Sequence, residues 1–137
     1  MSTDDELERI REQKRKELQE RAEAETQAVS SPDVPISIES PAHFQETLQE
    51  YDRVLVDFYA DWCGPCQMLA PVLADLAVET DAVIAKVDVD AHPDLAAAYS
   101  VRGVPTLVLY AEGEQVEQHV GALPADRLRD LVERYGA

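Results

Sequence analysis

A mixed α/β domain, with helices on both faces of its central sheet and a helical or disordered extension in front, is predicted by three observations. Apolar runs of strand length alternate with helix-spaced segments from Val34 onward. The last two runs flank Glu112-Gly113-Glu114, a turn that reverses the chain and pairs them antiparallel. Residues 4–28, by contrast, hold no Gly or Pro and are rich in Glu, Arg, Lys, Gln, Leu and Ala, which favours helix.

The 137 residues suffice for one domain and an appendage. A formal net charge of −16 argues against nucleic acid, whose affinity comes largely from counterion release by Lys and Arg. That charge is unevenly placed. Residues 1–31 carry nine acidic and six basic side chains, whereas residues 32–137 carry nineteen and six, a net of −13. Lys86 is the single lysine of the second segment. Such a surface repels itself in dilute buffer and is tolerated once salt screens it, so a halophilic protein is expected. The start Met-Ser-Thr-Asp-Asp-Glu lacks a basic and an apolar stretch, and no long apolar run follows. A cytoplasmic protein without a membrane partner is expected.

Within the extension, opposite charges stand at helical spacing in Asp5/Arg9, Glu12/Lys16 and Glu17/Arg21, each pair worth about 0.3 kcal/mol. Its apolar positions, chiefly Leu7, Ile10, Leu18, Ala22 and Val29, are too sparse for a strong coiled coil. A solvated, partly frayed helix, a docking or self-association arm and a disordered tail all fit that pattern. Ser30-Ser31-Pro32-Asp33 reads as a linker, dividing the chain into an extension over residues 1–33 and a domain over residues 34–137.

The domain opens with Val34, Ile36 and Ile38 in alternation, a short edge strand where Pro35 is tolerated. Ser40-Pro41 supplies an N-cap and a first-turn proline for a helix carrying Phe44, Leu48 and Tyr51 on one face. Val54 to Ala60 is an apolar run of the kind buried on both faces in a central strand, broken only by Asp57. Pro65 suits a helical first turn. Met68, Leu69, Val72, Leu73, Leu76 and Val78 continue at helical spacing to about Glu79, with Pro71 expected to kink the helix. Val83 to Val89 is the next strand, Pro93 to Tyr99 a short helix, and Thr106 to Tyr110 with Gln115 to Val120 a hairpin. A last helix begins at Pro124 and buries Leu128, Leu131, Val132 and Tyr135. Strand–helix–strand units pair in parallel and the hairpin does not, so the sheet is mixed.

The chemistry concentrates in Asp61-Trp62-Cys63-Gly64-Pro65-Cys66, which holds both cysteines and the only tryptophan. A disulfide between such close neighbours constrains the unfolded chain little, so stability is a weak reason for the pair. At a helix start, free N–H groups and positive potential favour thiolate at Cys63. Cys66, one turn further in, is placed to attack a mixed disulfide formed at Cys63. Cys-x-x-Cys is also half of a structural zinc site, but tetrahedral zinc needs further ligands. His43, His92 and His119 are scattered without ligand spacing, so no metal is expected.

Trp62-Cys63-Gly64-Pro65-Cys66 following Val56-Asp57-Phe58-Tyr59-Ala60 resembles the active-site segment of the thioredoxin family. Met68-Leu69-Ala70-Pro71, Lys86-Val87-Asp88-Val89-Asp90, Val101-Arg102-Gly103-Val104-Pro105-Thr106-Leu107 and Val120-Gly121-Ala122-Leu123 recur in the family's order and spacing. The resemblance covers residues 34–137 and leaves residues 1–33 outside it. It implies a thioredoxin fold and a monomeric protein-disulfide reductase, with Cys63 as nucleophile and Cys66 as resolving thiol. The redox-active Cys63–Cys66 disulfide would be its only redox group, with no bound cofactor. Its partners would be disulfide-containing proteins and a thioredoxin reductase.

The same resemblance gives roles to the odd residues. Asp57 matches the family's buried aspartate, whose pKa desolvation raises and which exchanges a proton with Cys66. The alternative is a structural aspartate satisfied by backbone donors. Lys86 matches the lysine near that carboxylate, against a surface lysine lying along apolar surface. Val104-Pro105 matches the family's cis-proline segment, which offers Val104 backbone groups to an extended substrate chain; the alternative is a trans-proline opening an edge strand. Gly103, Gly121 and Ala122 are expected to floor the groove, and Trp62 to line it rather than enter the core. Gly64-Pro65 between the cysteines resembles the reducing members. Two positions depart from the pattern. Tyr59 replaces another aromatic, a change expected to be neutral packing, and Gln67 stands where a basic residue is frequent. The competing function is a redox-regulated binding module with a dedicated partner.

Overall fold

A computed structural model of the chain describes residues 3–28 and 32–136, with side chains over 5–18 and 32–136. The chain divides into two units, the first holding a single helix, α1 (Thr3–Ala28). Residues 3–28 of the extension are thus helical. Leu7, Ile10 and Leu18 are exposed, and Asp5/Arg9 and Glu12/Lys16 do not close into ion pairs, which leaves intrinsic helix preference as the local cause. Val29, Ser30 and Ser31 lie outside the described residues, as do the side chains of Arg21 and Ala22.

The second unit runs β1 (Ile36–Ser37), α2 (Pro41–Glu50), β2 (Arg53–Tyr59), α3 (Gly64–Glu79), β3 (Val83–Asp88), α4 (Pro93–Ala98), β4 (Thr106–Ala111), β5 (Glu114–Val120) and α5 (Ala125–Arg134). The sheet order is β1-β3-β2-β4-β5, with β1, β3 and β2 parallel and β4 and β5 antiparallel to their neighbours. The mixed sheet expected from the element order is formed. Its first strand is shorter than the Val34–Ile38 alternation suggests, because Val34 is exposed and Pro35 has no N–H to donate.

Period-two alternation decides which helix covers which face. Val54, Val56 and Phe58 of β2, with Val83, Ala85 and Val87 of β3, meet Phe44 and Leu48 of α2 and Leu95 of α4. Leu55 and Ile84 point the other way, with Leu107 and Leu109, into Leu69, Leu73 and Leu76 of α3 and Leu128 and Val132 of α5. Asp57 and Lys86 share the parity of Leu55 and Ile84. They therefore belong to the α3/α5 face, at the end of β2 where the chain enters α3.

Local signals behave as their chemistry requires. Ser40 caps α2, its Oγ accepting from His43 N at 3.0 Å, with Pro41 in the first turn. Ser40→Ala is expected to lower folding stability by about 1 kcal/mol, read from urea unfolding with an unchanged m-value. α3 runs through Pro71, but its buried stripe is Leu69, Leu73, Leu76 and Ala77. Met68 and Val78, counted with that apolar face in the sequence, are exposed, each lying about 100° round the helix from a buried neighbour. The hairpin turn has two residues rather than three. Glu112 and Gly113 both take positive φ (53° and 82°), the combination of a tight primed turn, so Glu114 joins β5.

Candidate active site

The end of β2 delivers Ala60-Asp61-Trp62 and then Cys63, which occupies the N-cap of α3 in extended conformation (φ −88°, ψ 112°). Its Sγ accepts from Cys66 N at 3.2 Å, and its carbonyl accepts from Gln67 N at 3.2 Å in the first helical bond. A sulfur thus takes the place usually filled by a serine or aspartate oxygen. Cys63 and Cys66 are joined in a disulfide, with Cα atoms 5.2 Å apart, and both are buried against Ala60, Tyr59, Val89 and Val104.

Three segments converge on this pair. Cys63 Sγ lies 3.7 Å from the Val104 carbonyl oxygen. The Val104–Pro105 bond is cis, and Pro105 O accepts from Gly121 N at 2.7 Å. Gly121 takes φ +106°, a conformation open to glycine and strained for other residues. Thr106 Oγ1 donates to Gly103 O at 2.6 Å, which ties the preceding turn to the head of β4. Trp62, Gly64, Pro65 and Ala122 are exposed, Gly103, Val104 and Gly121 are half-buried, and Pro105 is buried.

Asp57 is fully buried, and neither carboxyl oxygen has a hydrogen-bond partner. A structural aspartate satisfied by backbone donors is therefore not what stands here. Burial pushes its pKa up from 3.8 to about 6, against the opposing pull of Lys86. Lys86, opposite Asp57 in the β2–β3 register, places Nζ 3.9 Å from Oδ2.

Three contacts carry no sequence signal of their own. The exposed Trp62 donates from Nε1 to Asp90 Oδ2 at 2.9 Å, across 28 positions of chain. Asp90 is held in place by a turn in which Asp88 Oδ1 accepts from Asp90 N at 2.9 Å. Gln67 donates from Nε2 to Asp61 O at 2.7 Å, so the residue that lacks a charge still fixes the loop. Tyr59 is more than packing: Lys86 Nζ lies 4.5 Å from its ring centroid. Among the described residues no group of three or more His, Cys, Asp or Glu is gathered as a metal site, and no helix is long and apolar enough to cross a membrane.

The thioredoxin family model matches residues 35–134. A thioredoxin from Chlorobaculum thiosulfatiphilum is 43% identical over 96 residues, covering 68% of this chain and 89% of its own length. One from Chlamydia trachomatis is 43% identical over 101 residues, covering 73% and 98%. Among solved structures, a mutant thioredoxin from Halobacterium salinarum is 55% identical, with a TM-score of 0.76 over 78% of this chain and 95% of that one. With relatives matched along nearly their whole length, and a cysteine pair carried to a helix start by the central strand, the chain belongs to the thioredoxin family of protein-disulfide oxidoreductases.

Proposed function

We propose that this chain reduces disulfides in other proteins, with Cys63 attacking and Cys66 resolving, and that a separate thioredoxin reductase returns the oxidised pair to the dithiol. The observation that carries the order of attack is the cap on α3. Negative charge developing on Cys63 Sγ is met by the Cys66 N–H at 3.2 Å and by the positive end of the helix. Cys66 sits inside the first turn, one step later in the reaction.

In the first step the Cys63 thiolate attacks one sulfur of a substrate disulfide. That S–S bond breaks, the leaving sulfur departs as a thiolate that takes up a proton, and Cys63 is held in a mixed disulfide. In the second step Cys66 passes its proton to the Asp57 carboxylate, and its thiolate attacks Cys63 Sγ. The second substrate sulfur leaves as the Cys63–Cys66 bond forms, so two electrons have moved from domain to substrate. The thiols carry both, and no bound cofactor enters the scheme. With its pKa raised to about 6, Asp57 is a base matched to neutral pH.

Recognition in this reading is backbone-led. The Val104 carbonyl is 3.7 Å from Cys63 Sγ, so a substrate strand pairing there brings its disulfide to the attacking sulfur. Trp62, Gly64 and Pro65 form one side, and Gly103, Gly121 and Ala122 supply small surface on the other, while the buried Pro105 stiffens the chain at Val104.

Mixed-disulfide trapping tests the scheme. Cys66→Ser is expected to accumulate substrate adducts that dithiothreitol releases, and Cys63→Ser to accumulate none. Adducts with Cys63→Ser and none with Cys66→Ser would reverse the order of attack, and equal trapping by both would remove it. Insulin reduction separates the functions: sustained turnover marks a reductase, whereas a single trapped partner without turnover marks a binding module.

A further inference from the structure

Tyr59 closes β2 two positions after Asp57, so alternation puts both side chains on the α3/α5 face. Between them stands one ammonium. Lys86 Nζ is 3.9 Å from Asp57 Oδ2 and 4.5 Å from the Tyr59 ring centroid. The lysine side chain is 20% exposed, so water competes for its head, and its flexible stem lets the head swing away. Asp57 has no such freedom, being wholly buried without a hydrogen-bond donor on either oxygen. How well its charge is compensated therefore depends on where the ammonium spends its time. The Tyr59 face, 4.5 Å away, attracts the ammonium toward Asp57 from within the site, whereas Asp88 and Asp61, which also lie near the ring, add negative charge of their own.

We propose that Tyr59 is a positioning residue for the exchange reaction: its ring holds the Lys86 ammonium beside Asp57, and so governs how readily Asp57 and Cys66 pass a proton between them. This rests on the reading of Asp57 as the proton partner of Cys66.

The neighbours of the trio agree with that role. Tyr59 packs against Ala60, Cys63 and Cys66, at the dithiol itself. Burial, with Asp88 on β3, Asp61 in the loop and Asp57 alongside, raises the Tyr59 pKa and keeps its ring a neutral phenol. β4 sets apolar Leu107 opposite Asp57, and β1 sets Ser37 opposite Lys86, so neither strand adds a charge at those positions.

The test follows the Asp57 carboxyl carbon by NMR through a pH titration of the full-length oxidised protein at fixed salt. Tyr59→Leu is expected to raise the midpoint by about half a pH unit, as an ammonium no longer held leaves burial less opposed. Tyr59→Phe keeps the ring and should leave the midpoint in place. Tyr59→Phe carrying a pentafluorinated ring keeps the shape, removes the negative face, and should reproduce the leucine shift. That version holds the test together if the leucine variant fails to fold. In the reduced enzyme, the pH midpoint of the insulin-reduction rate should move with the NMR midpoint. If the leucine and fluorinated variants both titrate as wild type, the proposal is overturned. If Asp57→Asn leaves the pH–rate profile unchanged, the proton-transfer reading falls instead, and the NMR midpoints still report the coupling of Tyr59 to Asp57.

Discussion

Asp57→Asn is expected to make the oxidised protein more stable by about 3 kcal/mol at pH 7 while slowing disulfide reduction roughly tenfold or more. The stability change follows from the direction of the Asp57 shift. Its pKa is 3.8 in an ordinary setting and about 6 in the fold, because burial outweighs the attraction of Lys86. Between those two values the native protein keeps a proton that the unfolded chain has released, so unfolding stability falls as pH rises through that window. Above about pH 6 the burden is complete, and below about pH 4 it is absent. Asparagine has the same shape and no charge at any pH, so the gap between variant and wild type should be near zero at pH 3.5 and open fully by pH 7. Lys86, part-exposed, can turn to water when its partner is neutralised. Urea unfolding of both proteins at the two pH values measures the gap; a gap of equal size at both would mean that the carboxylate charge is not its source. The loss of rate has a separate cause in the proposed scheme, where Cys66 without Asp57 gives its proton to water. A protein that gains stability and loses turnover has not been damaged, and that opposition ties the buried charge to the chemistry.

Asp57 was also the most readable residue of the site, and for the same reason. A carboxylate inside an apolar run is costly enough to stand out in the sequence, as are two lone cysteines behind a tryptophan or a single lysine in an acidic domain. Capping chemistry is equally local, which is why Ser40-Pro41 and Pro65 mark the helix starts found in the structure. What could not be read depends on rotation or on distant register. The side of α3 that faces the sheet is set by packing, so Met68 and Val78 look like core in a list of apolar residues and are exposed in the fold. The bond from Trp62 to Asp90 depends on the Asp88 turn at the far end of β3, and the contact of Lys86 with Tyr59 depends on the parallel register of β2 and β3. Nothing near Tyr59 in the sequence distinguishes it from any other strand aromatic.

Raising KCl from 0.1 M to 1 M is expected to stabilise the protein by about 3 kcal/mol, a rise of about 15 °C in Tm. A net charge of −13 on a sphere of roughly 15 Å radius, compared with a coil about twice as wide, disfavours the fold by about 6 kcal/mol at the lower salt and about half that at the higher. The described ion pairs relieve little of this, since Arg129–Glu79 and Arg134–Glu117 lie at the surface and Lys86 is committed to Asp57. The 55% identity to a Halobacterium thioredoxin supports reading the charge as halophilic. Salts also strengthen apolar burial, so a rise in Tm alone does not identify screening. Charge removal separates the two effects. Asp75→Asn, Asp81→Asn, Glu114→Gln and Glu133→Gln together neutralise four exposed carboxylates outside those ion pairs. Because repulsion grows as the square of net charge, this change should remove about half of the KCl effect and raise stability in dilute buffer. A KCl slope identical in both proteins would assign the gain to apolar burial, and the acidic surface would then need a reason other than salt.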